Sequence, residues 1–118
     1  MNKQFISYSL IFILTSILCL PSIAANTFRE KVNNHLNEAS HEFLDDKDTM
    51  EAAKELRLTA DVLRNETNAP NSKYQKSKLD KSVNKLETIA NKMETGGAVN
   101  VKEFNDAVKC TKDSLKVK

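Results

Sequence analysis

The feature that most constrains this chain is the spacing of its apolar residues after residue 26. In four successive segments they recur every three or four residues, which is the period of one face of an α-helix rather than the alternation of a strand. The four apolar stripes are Phe28, Val32, Leu36, Ala39 and Phe43; Met50, Ala53, Leu56, Ala60 and Leu63, widened by Leu58 and Val62; Leu79, Val83, Leu86, Ala90 and Met93, with Ile89; and Val101, Phe104, Val108, Thr111 and Leu115, with Ala107. The pattern predicts an all-α fold of four amphipathic helices.

Each stripe is preceded by a candidate capping box, in which a short polar N-cap residue is followed three positions later by Glu or Gln. The four pairs are Thr27 and Glu30, Asp48 and Glu51, Ser72 and Gln75, and Asn100 and Glu103. The predicted connections are the segments 44–47, 68–71 with its proline, and Gly96-Gly97, where glycine suits a helix C-terminus. Short connections make consecutive helices antiparallel, so the sequence predicts an up-down-up-down antiparallel four-helix bundle.

The first 25 residues are typical of a secretory signal peptide. Lys3 precedes an apolar run over residues 5–20, Pro21 interrupts it, and small residues follow over 22–25. We therefore expect a cleaved signal peptide over residues 1–25 and one bundle domain over residues 26–118, located in a periplasm. Because no second long apolar run follows, no membrane span is expected after cleavage.

The charge balance bears on the class of partner. The chain has 18 Lys and Arg against 16 Asp and Glu, a formal net charge of +2. A dedicated nucleic-acid binder would carry a larger basic excess, so the expected partner is an unidentified protein or small ligand. The sequence contains no nucleophile–base pair, phosphate-binding glycine loop or Cys-x-x-Cys motif, and we predict that the protein is not an enzyme.

The titratable residues of the first predicted helix are the candidates for a metal site. His35 and His41 are six residues apart and so lie about 120° apart around a helix, too far for one metal on one face. His41 also lies three residues after Glu38 and four before Asp45, which suits a weak divalent-metal site or, as we favour, ordinary helix-supporting pairs. The carboxylates at 42, 45, 46 and 48 lack the glycine of a calcium loop and suit the start of the next helix.

Sulfur-containing side chains are the remaining candidates. Met50 and Met93 lie on apolar stripes and are interpreted as core residues. Cys110 is left alone once Cys19 is removed with the leader, so no internal disulfide is expected. Two interpretations of Cys110 remain: an inert, half-buried thiol, which we favour, and an exposed thiol that forms a disulfide-linked dimer.

Two stretches carry a resemblance to a known family. Residues 51–57, continuing to Asn68-Ala69-Pro70, and residues 85–91, continuing through Gly97 to 101–103, resemble the second to fourth helices of the soluble cytochrome b562 family. The resemblance implies a periplasmic four-helix bundle that carries electrons on non-covalent haem b. It also implies an axial Met near the start of the first helix and an axial His near the end of the fourth.

This chain departs from the family at both ligand positions. It has Lys31 and Val32 at the first and the segment Leu115–Lys118 at the second. We therefore expect no cofactor, and a non-enzymatic binding or envelope protein that has lost the haem ligands. The alternative is a haem b electron-transfer protein with unusual axial ligands.

Overall fold

The computed structural model describes residues 27–117, and over that range it contains four helices and no strand. Helix α1 covers residues 27–40 and continues into a π-helical turn, His41–Asp45. The others are α2, Thr49–Thr67, α3, Lys76–Glu94, and α4, Val101–Ser114. The predicted all-α class is confirmed, and the predicted signal peptide lies outside the described residues. Within residues 27–117, none of the helices combines the length and apolar character needed to cross a membrane.

The apolar stripes predict most of the core. The third stripe is correct throughout, since all six of its residues are buried. The buried residues of the other three stripes are Val32, Leu36 and Ala39; Ala53, Leu56, Ala60 and Leu63; and Phe104, Ala107, Thr111 and Leu115. Phe28, Phe43, Val62 and Val108 pack partly buried against this core. One continuous apolar interior therefore joins all four helices.

The stripes are wrong at three positions. Met50 is 58% exposed, Val101 52% and Leu58 37%. Met50 and Val101 lie in the first turns of α2 and α4, and helix side chains tilt toward the N-terminus, so a first-turn residue can project beyond its neighbours. Conversely, the interior includes residues outside the stripes: Ala52, Thr59, Tyr74, Ser82 and Ser114.

Two of the predicted N-caps are confirmed and one is wrong. Asp48 accepts a hydrogen bond from the Glu51 amide, and Asn100 accepts one from the Glu103 amide at 2.7 Å. The third prediction fails because α3 begins at Lys76, four residues after Ser72. The Ser72 hydroxyl instead accepts from the Tyr74 amide at 3.2 Å, a local turn that competes with helix formation. The Thr27–Glu30 pair stays a prediction.

The Gly96-Gly97 connection ends α3 as the sequence predicts. Gly96 has φ +78°, in the left-handed region that glycine adopts without strain. The Gly97 amide donates to the Lys92 carbonyl at 2.6 Å and the Gly96 amide to that of Met93 at 3.4 Å. This paired arrangement satisfies carbonyls that the helix leaves free and turns the chain toward α4.

Polar pairs show how α3 lies against its neighbours. Arg57 pairs with Glu94, and Arg64 pairs with Glu87, so residue numbers run in opposite directions along the contact between α2 and α3. On the other side, Lys92 pairs with Glu103, and Ser82 contacts residue 110 of α4. Residue numbers therefore run in opposite directions across both of these contacts of α3.

Candidate binding groove between α3 and α4

Two adjoining hollows run along the contact between α3 and α4, and together they are called the α3–α4 groove. The upper hollow has a volume of about 320 Å³ and is lined by Asn84, Lys85, Thr88, Ile89, Glu103, Asp106 and Ala107. The lower hollow has a volume of about 420 Å³ and is lined by Lys78, Lys81, Lys85, Asp106, Lys109, Cys110, Asp113 and Ser114. Both linings include Lys85 and Asp106, so the two hollows adjoin on the surface.

Small side chains, whose hydroxyl groups are hydrogen-bonded to backbone carbonyls, form the α3–α4 contact beside the groove. Ser82 is fully buried and donates from its hydroxyl to the Cys110 carbonyl oxygen at 3.2 Å. On α4, Thr111 donates to the Ala107 carbonyl and Ser114 to the Thr111 carbonyl. These polar groups need no further partner, and they occupy less volume than leucine would. The contact therefore leaves an open groove between the two helices.

Lysines dominate the lower half of the groove. Lys78, Lys81 and Lys85 are spaced three and four residues apart, which places them on one face of α3, and Lys109 faces them from α4. Within residues 27–117, none of these four ammonium groups has a carboxylate within ion-pairing distance. The groove thus holds a cluster of positive charges that the fold itself does not neutralise.

The opposite face of α3 provides a contrast. Arg57 donates from Nε and Nη2 to the Glu94 carboxylate at 2.7 and 2.6 Å, and these bonds hold the pKa of Glu94 below its ordinary value. Arg64 is bonded to Glu87, which raises the pKa of that guanidinium further. The guanidinium groups of Arg57 and Arg64, between α2 and α3, are therefore already paired with carboxylates of the same fold.

The acidic side chains of the groove are distributed unevenly. Glu103 closes the upper end, where its carboxylate is held by Lys92. Asp113 lines the lower hollow with the lysines of α3, and its carboxylate lies 3.6 Å from the Lys116 ammonium. Asp106 lines both hollows and has no cation within ion-pairing distance in the described part of the chain. The groove is therefore basic overall but has a carboxylate at its centre.

The histidines lie away from this groove and apart from each other. His35 Nδ1 is 2.7 Å from Glu55 Oε2, a contact between α1 and α2 that sequence spacing did not predict. His41 Nδ1 is 2.9 Å from Asp45 Oδ2, which confirms the favoured helix-supporting pair; this bond raises the pKa of His41. In residues 27–117, His, Cys, Asp and Glu side chains nowhere form a group of three or more that could hold a metal ion.

The sulfur-containing residues discussed above differ in how far they are buried. Met93 is buried in the core as predicted, whereas the core interpretation of Met50 is wrong because its side chain is mostly in solvent. Cys110 is half-buried, as favoured, and its Sγ lies 3.7 Å from the Ser82 hydroxyl at the edge of the groove. The disulfide-linked dimer through Cys110 stays a prediction.

Two of the residues in the segments that the resemblance would give to the haem ligands are hydrocarbon side chains of the core. Val32 is fully buried and Leu115 is 3% exposed, and both are part of the apolar core. A hydrocarbon side chain has no lone pair to offer iron. Comparison of the chain with protein-family models, curated proteins and solved structures finds no match.

Sequence reasoning missed the groove, although part of its signal was present. Lysines at 78, 81 and 85 share one helical face in any helix that covers them. What the sequence did not show is that Glu87, Glu94 and Glu103 pair with cations other than the groove lysines. The free charge of the groove is a property of the packed structure rather than of the composition.

Proposed function

We propose that this chain is an exported, non-enzymatic binding protein that recognises an anionic partner in the α3–α4 groove. The observation that carries the proposal is the set of four lysines that line the lower hollow without ion-pair partners in the described structure. A concave surface with an excess of positive charge raises the local concentration of anionic ligands and speeds their association. Export through a leader at residues 1–25 to a periplasm is part of the same proposal.

The proposal includes the up-down-up-down arrangement of the bundle. The opposite numbering across the α2–α3 and α3–α4 contacts supports it. Two ring contacts of α1 also support it: Phe28 lies 5.0 Å from Tyr74 of the α2–α3 connection, and Phe43 lies 4.7 Å from Phe104 of α4. In this arrangement α1 and α2 support the side of the bundle opposite the groove.

The placement of the lysines has an energetic cost that favours a binding role. Helix α3 has no acidic residue in its first turn, and its N-cap, Gln75, makes no side-chain capping bond. Of the groove lysines only Lys78 lies in this first turn, where a positive charge opposes the helix dipole and costs about 0.3–1 kcal/mol. Neighbouring lysines also repel one another. An anionic partner would reduce both the unfavourable dipole interaction and the repulsion among the lysines. The charges that destabilise the free protein would therefore stabilise the complex.

The proposal is tested by nuclear magnetic resonance on the labelled mature chain, with a decaglutamate peptide as the anionic probe. We expect the amide shifts that change most to fall within residues 78–89 and 103–114, and the affinity to weaken as salt is added. Shift changes centred on α1 and α2, or none at millimolar peptide, would contradict the proposed site.

The alternative function, a haem b electron carrier, makes a different prediction. Because Lys31 and Val32 at the first ligand position of the family include no methionine, and Leu115–Lys118 at the second include no histidine, we expect hemin added to the mature chain to give no sharp, reducible Soret band at one haem per chain. Visible spectra of the oxidised and reduced mixtures provide the measurement. A sharp band at that ratio would favour the electron carrier over the binding protein.

A further inference from the structure

We infer that the anionic partner of the α3–α4 groove is the acidic connection between α1 and α2 of a second copy of this chain, an inference that rests on the proposed function. The charges of this near-neutral sequence are separated into segments of opposite sign. Residues 42–51, called the acidic turn, contain five carboxylates and one lysine. Residues 73–85, which include the three groove lysines of α3, contain five lysines and one aspartate. The same chain therefore carries a basic groove and a segment of complementary charge.

The carboxylates of the acidic turn are accessible to a partner. One of them is half-buried and four are exposed, in the order Glu42, Asp45, Asp46, Asp48 and Glu51. Within residues 27–117, the only cation in an ion pair with any of them is His41, which contacts the two carboxylates at 45 and 46. The acidic turn thus offers three carboxylates that form no ion pair in the described structure.

The negative charges of the acidic turn also repel one another. Partial burial and the neighbouring charges of Asp46 and Asp48 raise the pKa of Glu42 above its ordinary value. A cluster of like charges is unfavourable in the free chain and is stabilised by contact with a surface of opposite sign. The acidic turn and the groove lysines therefore have complementary requirements, and one contact satisfies both.

The fold holds the acidic turn away from the lower hollow of its own chain. Arg57 of α2 pairs with Glu94, the last residue of α3, so the start of α2 lies at that end of α3. Lys78 lies in the first turn of α3, about 24 Å away along the helix axis. Phe43 of the acidic turn stacks on Phe104 at the start of α4, whereas the lower hollow follows the end of α4. Only another molecule can bring these carboxylates into the lower hollow.

The proposed contact joins two different surfaces of the same protein. A molecule that docks its acidic turn into a neighbour still presents its own groove, so the contacts either close into a symmetric assembly or continue as an open chain. Because the contact consists mainly of exposed charges, it is weak and is screened by salt. We expect a dissociation constant of about 100 μM for one contact at low salt, in the range of weak transient interfaces.

The test neutralises one of the two surfaces at a time. The groove-neutral variant carries K78Q, K81Q and K85Q. The turn-neutral variant carries E42Q, D46N and E51Q. It keeps Asp48, whose carboxylate caps α2, and Asp45, which is bonded to His41.

A control variant separates the groove from net charge. It carries K31Q, K54Q and K102Q, at exposed positions outside the groove and the acidic turn. The change in net charge is the same as in the groove-neutral variant. Circular dichroism verifies that every variant remains helical.

Sedimentation equilibrium in a reducing, low-salt buffer measures association, and the reductant removes any disulfide through Cys110. We expect the unaltered mature chain and the control to associate, and each neutralised variant alone to stay monomeric. An equimolar mixture of the two neutralised variants should form a dimer and nothing larger, because it contains one intact groove and one intact acidic turn. Saturating decaglutamate, or about 0.5 M salt, should return every sample to monomers.

The outcomes separate this inference from the proposed function. The second-copy inference is overturned if the unaltered chain stays monomeric, if the turn-neutral variant associates as the unaltered chain does, or if the mixture forms no dimer. Equal loss of association in the control and groove-neutral variants, or association that persists in high salt, also overturns it. If decaglutamate still shifts the groove amides in these cases, the groove binds an anionic partner other than this chain. If decaglutamate also fails to bind, the proposed function fails with the inference.

Discussion

Replacing Lys78, Lys81 and Lys85 together with glutamate is expected to weaken decaglutamate binding by about a hundredfold or more, without loss of stability. All three side chains line the lower hollow and have no ion-pair partner in the described structure. Each substitution replaces a positive charge that attracts the peptide by a negative charge that repels it. They break no ion pair of the described structure, and Lys78→Glu puts an acid into the first turn of α3, where the dipole favours it.

The combination of lost binding and retained stability is the informative result. We expect the free energy of unfolding, measured in urea, to be unchanged or higher by about 0.5–1 kcal/mol. The matched control replaces Lys31, Lys47 and Lys54, which are exposed on the α1–α2 side, and gives the same change in net charge. If control and groove variants weaken binding equally, binding depends on net charge and not on the groove.

The largest expected loss of stability follows Phe104→Ala. Phe104 is fully buried, and its ring stacks on that of Phe43 with centroids 4.7 Å apart. Removing a buried phenylalanine side chain costs about 3–5 kcal/mol. Domains of this size have about 5–15 kcal/mol in total, so the variant should lose a large part of its stability. Urea unfolding followed by circular dichroism gives the value.

Val101→Ala is the control for that variant on the same helix. Its side chain is 52% exposed although it lies on the predicted apolar stripe, and the expected loss is about 0.5 kcal/mol or less. If the two substitutions cost the same, Phe104 does not occupy the core position described here, and the contact between α1 and α4 is wrong.

The sequence predicted the helices because helical period and burial coincide over long stretches. In α3, for example, the positions from Leu79 to Met93 are correct because that helix is covered by neighbours along its length. Periodicity gives the direction of a side chain around the helix axis but not how far the neighbouring helices extend. This is why Met50 and Val101 lie on the correct faces and remain in solvent.

Local polar competition accounts for the wrong N-cap at Ser72. Ser72 has the sequence of an N-cap, but its hydroxyl binds the Tyr74 amide, and the buried ring of Tyr74 is packed before α3 begins. The π-helical turn at His41–Asp45 was also not predicted, because one added residue barely disturbs the spacing of the first stripe.

The groove could not be predicted because it depends on distant pairings. Lys92 is bound to Glu103, eleven residues away in sequence, whereas Lys81 and Lys85 have no such partner in the described part of the chain. The amino-acid composition gives the same small net charge whether these lysines are paired or not. Only the packed helices show which charges are satisfied internally and which remain free on the surface.

The most direct test of the groove uses the thiol that lies in it. Cys110 is the only cysteine after residue 25 and lines the lower hollow, half-buried. The measurement is the rate at which the mature chain reacts with iodoacetamide, a neutral reagent, with and without saturating decaglutamate. The account predicts that bound peptide slows the reaction at least fivefold, and that the groove-lysine variant shows no such protection. An unchanged rate at saturation would contradict the claim that the anion occupies the α3–α4 groove.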